Sequence, residues 1–230
     1  MKIKKICSKC IYDELTPGIS FDKHGECSYC IMIKGIKKEF GTGDIKGEKI
    51  FKSIVDEIKK RGRKNKYDVI IGVSGGTDSS YLLHLAVKLG LKPLAVHYDN
   101  TWNSAISTQN IKKLVSKLNI DLKTYVIDNQ EQDEIILSFF KAGICGLDAA
   151  TDLALAEVMY RYANQYNIKY VFEGHSFAAE GISPISSSYT DGAFIKSVVK
   201  KHSNIKLKTY PLMTFLQFLR WVIFVRIKKI

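Results

Sequence analysis

Short apolar runs alternate along this chain with longer stretches whose apolar residues recur every three or four positions. Residues 67–73 (Tyr-Asp-Val-Ile-Ile-Gly-Val), 94–98, 122–127 and 168–172 are rich in β-branched and aromatic side chains, the composition and length of buried strands. Between them the period changes. Ile50, Phe51, Ile54, Val55 and Ile58 fall on one face of a helix over 48–63. Tyr81, Leu82, Leu85, Ala86 and Leu89 mark a second helix, closed by Gly90, and further helices fit 106–118, 131–141 and 149–166. Residues 31–47, with Gly35, Gly41, Gly43 and Gly47, read as a linker. Strands alternating with helices predict an α/β fold with a doubly wound parallel sheet. Ligands of such sheets bind beyond the carboxyl ends of the strands, so the residues that follow each apolar run are the candidates for chemistry.

The first of these junctions is the most specific. Ser74-Gly75-Gly76-Thr77-Asp78-Ser79-Ser80 follows the first run directly and opens the next helix. Paired glycines let main-chain N–H groups approach an anion, the hydroxyls add donors, and the helix presents its positive end. A Walker loop would need a lysine reaching the terminal phosphates, and none lies between Lys66 and Lys88. The segment instead resembles the S-G-G-x-D-S signature of the PP-loop ATP pyrophosphatases, whose sheet is of the adenine nucleotide alpha hydrolase-like type. That resemblance implies a loop that holds the β,γ-pyrophosphate while ATP is cut between its α and β phosphates. Asp78 and Ser79 are the catalytic candidates within it.

Two other strand ends face the same crevice. His97-Tyr98-Asp99-Asn100 closes the second run, the place where the main chain of PP-loop enzymes holds adenine and ribose; a polar turn closing a strand is the alternative. Glu173-Gly174-His175 closes the fourth. Its glycine permits close approach, and its acid and imidazole could bind Mg2+ or handle a proton, with His175 the third catalytic candidate. Asp152 starts a helix, either as its N-cap or as a contact to ligand or magnesium. Glu180, in the loop 176–188, is either a solvated acid or within reach of the site.

Near the N-terminus, Cys7-Ser8-Lys9-Cys10 and Cys27-Ser28-Tyr29-Cys30 are two C-x-x-C pairs separated by 16 residues, the spacing of a zinc ribbon. Four thiolates complete a tetrahedral sphere, which makes the expected Zn2+ structural. Cys145 stands alone and reads as a buried, inert thiol.

Composition narrows the function classes. The net charge is +12, but residues 67–191 carry net −5, against +8 before and +9 after them. The positive charge therefore lies outside the predicted catalytic segment. It is mostly lysine, 30 of 35 basic residues, whereas base recognition favours arginine, so nucleic acid is not the favoured partner. Met1-Lys2-Ile3-Lys4-Lys5-Ile6 is charged, with no apolar stretch after it. The apolar run 215–225 is interrupted by Arg220 and too short to span a bilayer. A cytoplasmic protein without stable membrane insertion is expected.

Taken together, the cysteine pairs, Ser74–Ser79, Lys141-Ala142-Gly143 with Asp148 and Thr151-Asp152, the segment Glu173–Pro184 and Tyr210-Pro211-Leu212 resemble the N-acetyl sugar amidotransferase family of surface-polysaccharide synthesis. The resemblance implies that ATP adenylates the acetamido group of a nucleotide-linked sugar and that ammonia displaces AMP to give an acetamidino sugar. It also implies glutaminase and ammonia-channel subunits as partners, because the chain has no recognisable glutaminase nucleophile. ATP, Mg2+ and a structural Zn2+ would be the cofactors. The organisation expected is a zinc ribbon over 1–33, a linker and helix over 34–66, the PP-loop domain over 67–210, and an apolar, basic tail over 211–230 that starts a further C-terminal part. Two alternatives stay open: a tRNA thiolation or modification enzyme of the same superfamily, for which only Cys145 is available near the site, and a non-catalytic zinc-ribbon protein.

Overall fold

A computed structural model describes residues 4–175, 177–183 and 190–230. The chain forms two compact units: one takes the described residues of 1–54 and 175–189, the other 55–174 and 190–230.

In the first unit, two antiparallel bridges, Ile6 with Asp13 and Phe21 with Cys27, close the loops that carry the cysteine pairs. Helix α1 (Ser28–Phe40) follows, where the glycines had suggested a linker. The Cys27 side chain accepts from the Cys30 N–H at its start, and Gly41 closes its end in the left-handed conformation at φ 63°. These caps supply what propensity lacks. An isolated interior glycine such as Gly35 costs about 1 kcal/mol, which a capped helix tolerates. Helix α2 (Ile45–Gly62) runs across the boundary between the units. Helix α7 (Phe177–Glu180) belongs to the first unit, and beside it the Tyr12 hydroxyl donates to the Ile182 carbonyl at 3.1 Å. Ser176 and Pro184, part of the family-like segment, lie outside the described residues.

The second unit is built on β1 (Val69–Gly72), α3 (Thr77–Lys88), β2 (Pro93–Asp99), α4 (Ala105–Leu118), β3 (Leu122–Val126), α5 (Asn129–Lys141), α6 (Ala149–Gln165) and β4 (Tyr170–Phe172). Helix α8 (Gly192–His202), α9 (Phe215–Leu219), a π-helical turn (Arg220–Val225) and β5 (Lys228–Lys229) complete it. The five strands are parallel in the order β3-β2-β1-β4-β5, as the α/β reading required. Ile70 lies beside Leu94 on one side and Val171 on the other. These three join Ile135, Phe139, Ala154, Val158 and Ile195 in the main core. Successive strand residues point to opposite faces, so Val69, Ile71 and Ala95, also fully buried, face away from that cluster. Cover on both faces explains why the strands read as continuous apolar runs rather than alternating ones.

The fifth strand was not anticipated. Lys228 and Lys229 pair with Tyr170 and Val171. Ahead of them, buried Trp221 donates its indole N–H to Glu157 Oε2 at 2.7 Å. Glu157 is itself fully buried and also accepts from Arg161 Nε at 2.9 Å. The tail 211–230 is thus integrated into the second unit.

Candidate functional site

The strand order reverses between β1 and β4: β2 and β3 lie to one side of β1, β4 and β5 to the other. A crevice opens at the carboxyl ends where such a reversal occurs. The turn Ser74–Gly76 leaves β1 at that point and leads into α3.

Gly75 has φ +80°, and a Cβ there would lie 2.4 Å from the Ser107 carbonyl oxygen. Only glycine fits this approach to α4. Asn110 Nδ2 donates to the Gly75 carbonyl at 3.2 Å, fixing the turn against the same helix. The Ser79 hydroxyl accepts from the Ser74 N–H and lies 3.3 Å from the Ser74 hydroxyl, and the Ser80 hydroxyl donates to the Gly76 carbonyl at 2.6 Å. The N-cap of α3 is Gly76, which has no side chain to cap it. Among the described residues, the N–H groups of Thr77, Asp78 and Ser79 therefore keep no acceptor and point out of the helix start. Three main-chain donors and a helix dipole meet at one exposed turn, flanked by the Ser74 and Ser79 hydroxyls, which suits an anion of phosphate size.

On the β4 side, a Cβ on Gly174 would lie 3.5 Å from the Ser79 nitrogen, so this glycine sits against the start of α3. Its neighbour Glu173 is paired with Lys229 Nζ at 2.5 Å, and its N–H donates to the Ile230 carbonyl at 3.1 Å. The carboxylate is thus already balanced by a lysine of β5.

On the β2 side, His97 is buried. Its Nδ1 lies 2.8 Å from the Val73 carbonyl, so that nitrogen carries the proton, and Nε2 accepts from Asn103 Nδ2 at 3.4 Å. Both ring nitrogens are engaged in holding the chain ahead of Ser74 and the β2–α4 loop together. The Tyr98 side chain is in the core, stacked on Tyr125 at 6.2 Å between centroids; burial raises its pKa above the ordinary tyrosine value. What Tyr98 offers a ligand is main chain. Asp99 Oδ1 accepts from the Thr101 N–H and from Asn103 Nδ2, both at 2.8 Å.

The structure therefore brings Ser74–Ser80, His97, Asp99 and Gly174 together at the carboxyl ends of β1, β2 and β4. Asp152 is exposed in the first turn of α6, whose N-cap is Asp148; the N-cap expected at Asp152 is one turn too late, because Gly146 and Leu147 already lead into the helix. His175 belongs to the first unit, where Nδ1 lies 3.3 Å from Glu180 Oε2 and both side chains are exposed. Cys145 is exposed in the connection between α5 and α6, not buried. Sequence reasoning passed over Glu131. Its buried carboxylate accepts from the N–H groups of Lys208, Thr209 and Tyr210 at 2.8–3.0 Å, while the Tyr210 hydroxyl donates to the Ala150 carbonyl at 2.7 Å. This anchors the Tyr210-Pro211-Leu212 motif. A glutamate in a first helical turn carries no sequence signal of such a role.

In the first unit the Sγ atoms of Cys7, Cys10, Cys27 and Cys30 all lie within 4.8 Å of one another. Cys7 and Cys30 are 3.9 Å apart, and Cys10 and Cys27 3.7 Å. A tetrahedron with Zn–S bonds of about 2.3 Å has edges of about 3.8 Å, so the donor set fits zinc. Main-chain N–H groups of Lys9 and Cys27 reach Cys7 Sγ, each at 3.3 Å. Burial alone would raise the Cys7 pKa, but these donors outweigh it and bring it down to about 6. Burial, followed by the neighbouring thiols, pushes Cys30 upward instead. Binding of Zn2+ requires all four sulfurs as thiolates and so releases protons.

The sequence model of the phosphoadenosine phosphosulfate reductase domain matches residues 68–176, from the residue before β1 through the Gly174 turn. No curated protein matches the chain. Among solved structures, it is similar to NMN synthetase from Francisella tularensis, with 20% identity over 77% of this chain and 69% of that one and a TM-score of 0.42. The NH3-dependent NAD synthetase from Campylobacter jejuni subsp. jejuni NCTC 11168 has 16% identity over 78% and 73%, with a TM-score of 0.44. The glutamine-dependent NAD+ synthetase from Acinetobacter baumannii has 14% identity over 69% of this chain and 32% of its own, with a TM-score of 0.43. Among the described residues, no helix is long and apolar enough to cross a membrane.

Proposed function

We propose that the chain is an AMP-forming, ATP-pyrophosphatase-type synthetase that adenylates the acetamido group of a nucleotide-linked sugar and admits ammonia to give an acetamidino sugar. The observation that carries the reading is the uncapped, hydroxyl-lined start of α3 at the reversal of strand order. Its free N–H groups at Thr77, Asp78 and Ser79 suit a pyrophosphate, and the lack of a lysine in the turn suits cleavage on the inner side of that pyrophosphate. Asp78, an acid in the first turn of α3, would recruit a Mg2+ to the bound phosphates, and Ser79 orders the turn through Ser74.

The amide oxygen attacks the α-phosphorus, the bond to the bridging oxygen of the β-phosphate breaks, and pyrophosphate leaves. Ammonia then adds to the activated carbon, and AMP departs with the former amide oxygen. Adenylation is needed because an amide oxygen is otherwise a poor leaving group. Ammonia would come from a glutaminase partner through a channel subunit. The sugar identity rests on the family-like segments, among them Glu173–Gly174 and Tyr210–Leu212, and on the four-cysteine cluster.

The test is pyrophosphate release from ATP with acetamido sugar nucleotides and ammonium chloride, which bypasses the glutaminase. Pyrophosphate and AMP should form in equal amounts, and Asp78→Asn or Ser79→Ala should abolish both. ADP and phosphate as products, or unchanged turnover in either variant, would refute the assignment.

A further inference from the structure

One aromatic ring, on the loop after β2, takes no part in the chemistry above. Trp102, in the β2–α4 loop, is 58% exposed, yet its polar atoms are tied down. Its indole N–H donates to Asp133 Oδ1 at 2.8 Å, and its main-chain N–H donates to Asn100 Oδ1 at 3.0 Å. The second Asp133 oxygen accepts from Asn129 Nδ2 at 3.1 Å, and Asn129 Oδ1 accepts from the Thr101 hydroxyl at 2.6 Å. These bonds close a ring through Thr101, Trp102, Asp133 and Asn129. Thr101 itself sits at φ +66°, a left-handed conformation that β-branched residues rarely adopt. Strain of this kind persists where the surroundings over-determine it, and it clusters at ligand clamps.

The same loop is coupled to the phosphate turn. Asn103 bonds His97, whose other nitrogen holds the Val73 carbonyl one residue before Ser74. The first turn of α4, which the loop enters, carries the Ser107 carbonyl that packs on Gly75. An indole face held open on the loop that follows β2, tied to the helix after β3 and collared by Asn100, Thr101, Asn103, Asn129 and Asp133, has the make-up of a platform for a hydroxyl-bearing ring. The collar holds amides, a hydroxyl and a carboxylate and no lysine or arginine, so it suits a neutral polar ligand rather than a phosphate.

We propose that Trp102 is the stacking platform for the substrate sugar, with the C–H face of the pyranose ring on the indole. This rests on the sugar reading of the reaction given above. The ring of hydrogen bonds sets the platform's angle before the ligand arrives, which spares the cost of ordering a large side chain on binding.

The full chain provides its own probe, because the second tryptophan, Trp221, is buried against Glu157. Titration with UDP-N-acetylglucosamine or UDP-N-acetylgalactosamine should quench the exposed tryptophan saturably. By calorimetry, Trp102→Ala should weaken sugar-nucleotide binding about tenfold or more. Trp102→Phe, which keeps a flat apolar face, should recover most of it, and ATP affinity should stay unchanged in both. Equal sugar-nucleotide affinity in Trp102→Ala and the parent, a loss of ATP affinity in place of sugar affinity, or no saturable sugar binding by the parent would overturn the proposal. Pyrophosphate release by the parent separates this from the reaction itself. Trp102-dependent sugar binding without release sinks the reaction and leaves the platform, whereas full turnover in Trp102→Ala does the reverse.

Discussion

Gly75→Ala is the sharpest test of the phosphate turn. An alanine at φ +80° meets two penalties. The left-handed conformation costs an L-residue about 1–2 kcal/mol. The new Cβ would also stand 2.4 Å from the Ser107 carbonyl oxygen and 2.8 Å from the Ser107 carbonyl carbon and Cα. These are main-chain atoms inside α4 that no rotamer change can move. Relief requires the turn to leave the helix or α4 to shift, and a combined cost of about 2–4 kcal/mol is reasonable for a strained, over-packed site. Every 1.4 kcal/mol is tenfold, so the binding-competent fraction should fall by about 30- to 1,000-fold, and the apparent Kd for nucleotide should rise in proportion. The assay is calorimetric titration with α,β-methylene-ATP and Mg2+, with the urea midpoint measured alongside. Gly76→Ala is the matched control. Its φ of −79° and ψ of 172° are ordinary for alanine, and the nearest atom to its Cβ would be the Ser74 hydroxyl at 3.4 Å, so a loss of about threefold is expected from the weaker N-cap. Undiminished affinity in Gly75→Ala, or an equal loss in Gly76→Ala, would refute the argument that nucleotide binding depends on this turn's conformation.

Three further outcomes are expected. The parent should carry one zinc per chain by elemental analysis, and Cys27→Ala, which removes both a ligand and the cap of α1, should lose the metal together with helical ellipticity; retained stoichiometry would rule out the four-cysteine site. Glu157→Ala strips the shared acceptor from the Trp221 indole and Arg161 inside the core, and urea unfolding followed by tryptophan emission should show a loss of about 3–5 kcal/mol; a loss below about 1 kcal/mol would show that this carboxylate does not hold the tail. The Tyr170 hydroxyl, then Lys228, hold the Glu57 carboxyl below its ordinary pKa. Its stabilising effect is therefore complete above the unfolded-state pKa and lost as pH falls through the lower folded-state value. The urea midpoint of Glu57→Gln should fall less steeply than the parent's below about pH 5, and parallel acid limbs would contradict the shift.

The parts of the fold that were legible in the sequence are those buried on two faces. Val69–Ile71 and Leu94–Val96 have almost no exposed surface, and such strands leave an uninterrupted apolar signature. The turn Ser74–Gly76 was legible for a related reason: Gly75, just past a strand end, answers to a backbone requirement. Helix α1 was hidden because it buries no side chain fully and rests on caps formed by Cys27 and Gly41. Strand β5 was hidden because two exposed lysines at a sheet edge have no pattern, and their pairing comes from Trp221 and Glu157 seating the preceding turn. The Trp102 ring of bonds joins residues 101–102 to 129 and 133; such a link between separate loops exists only once β2 and β3 lie side by side.

The short fifth strand makes the crevice sensitive to the far end of the sequence. Ile230 accepts from the Glu173 N–H and donates to the Val171 carbonyl, while Lys229 neutralises the Glu173 carboxylate. The Phe172–Glu173 peptide unit, one residue before Gly174, is thus gripped by the outermost rung of the sheet. Clipping residues 228–230, or fusing a bulky reporter directly behind them, would release that grip and loosen the Gly174 turn that packs on the start of α3. An affinity handle at that position would then disturb the Gly174 side of the α3 start without touching any of its side chains.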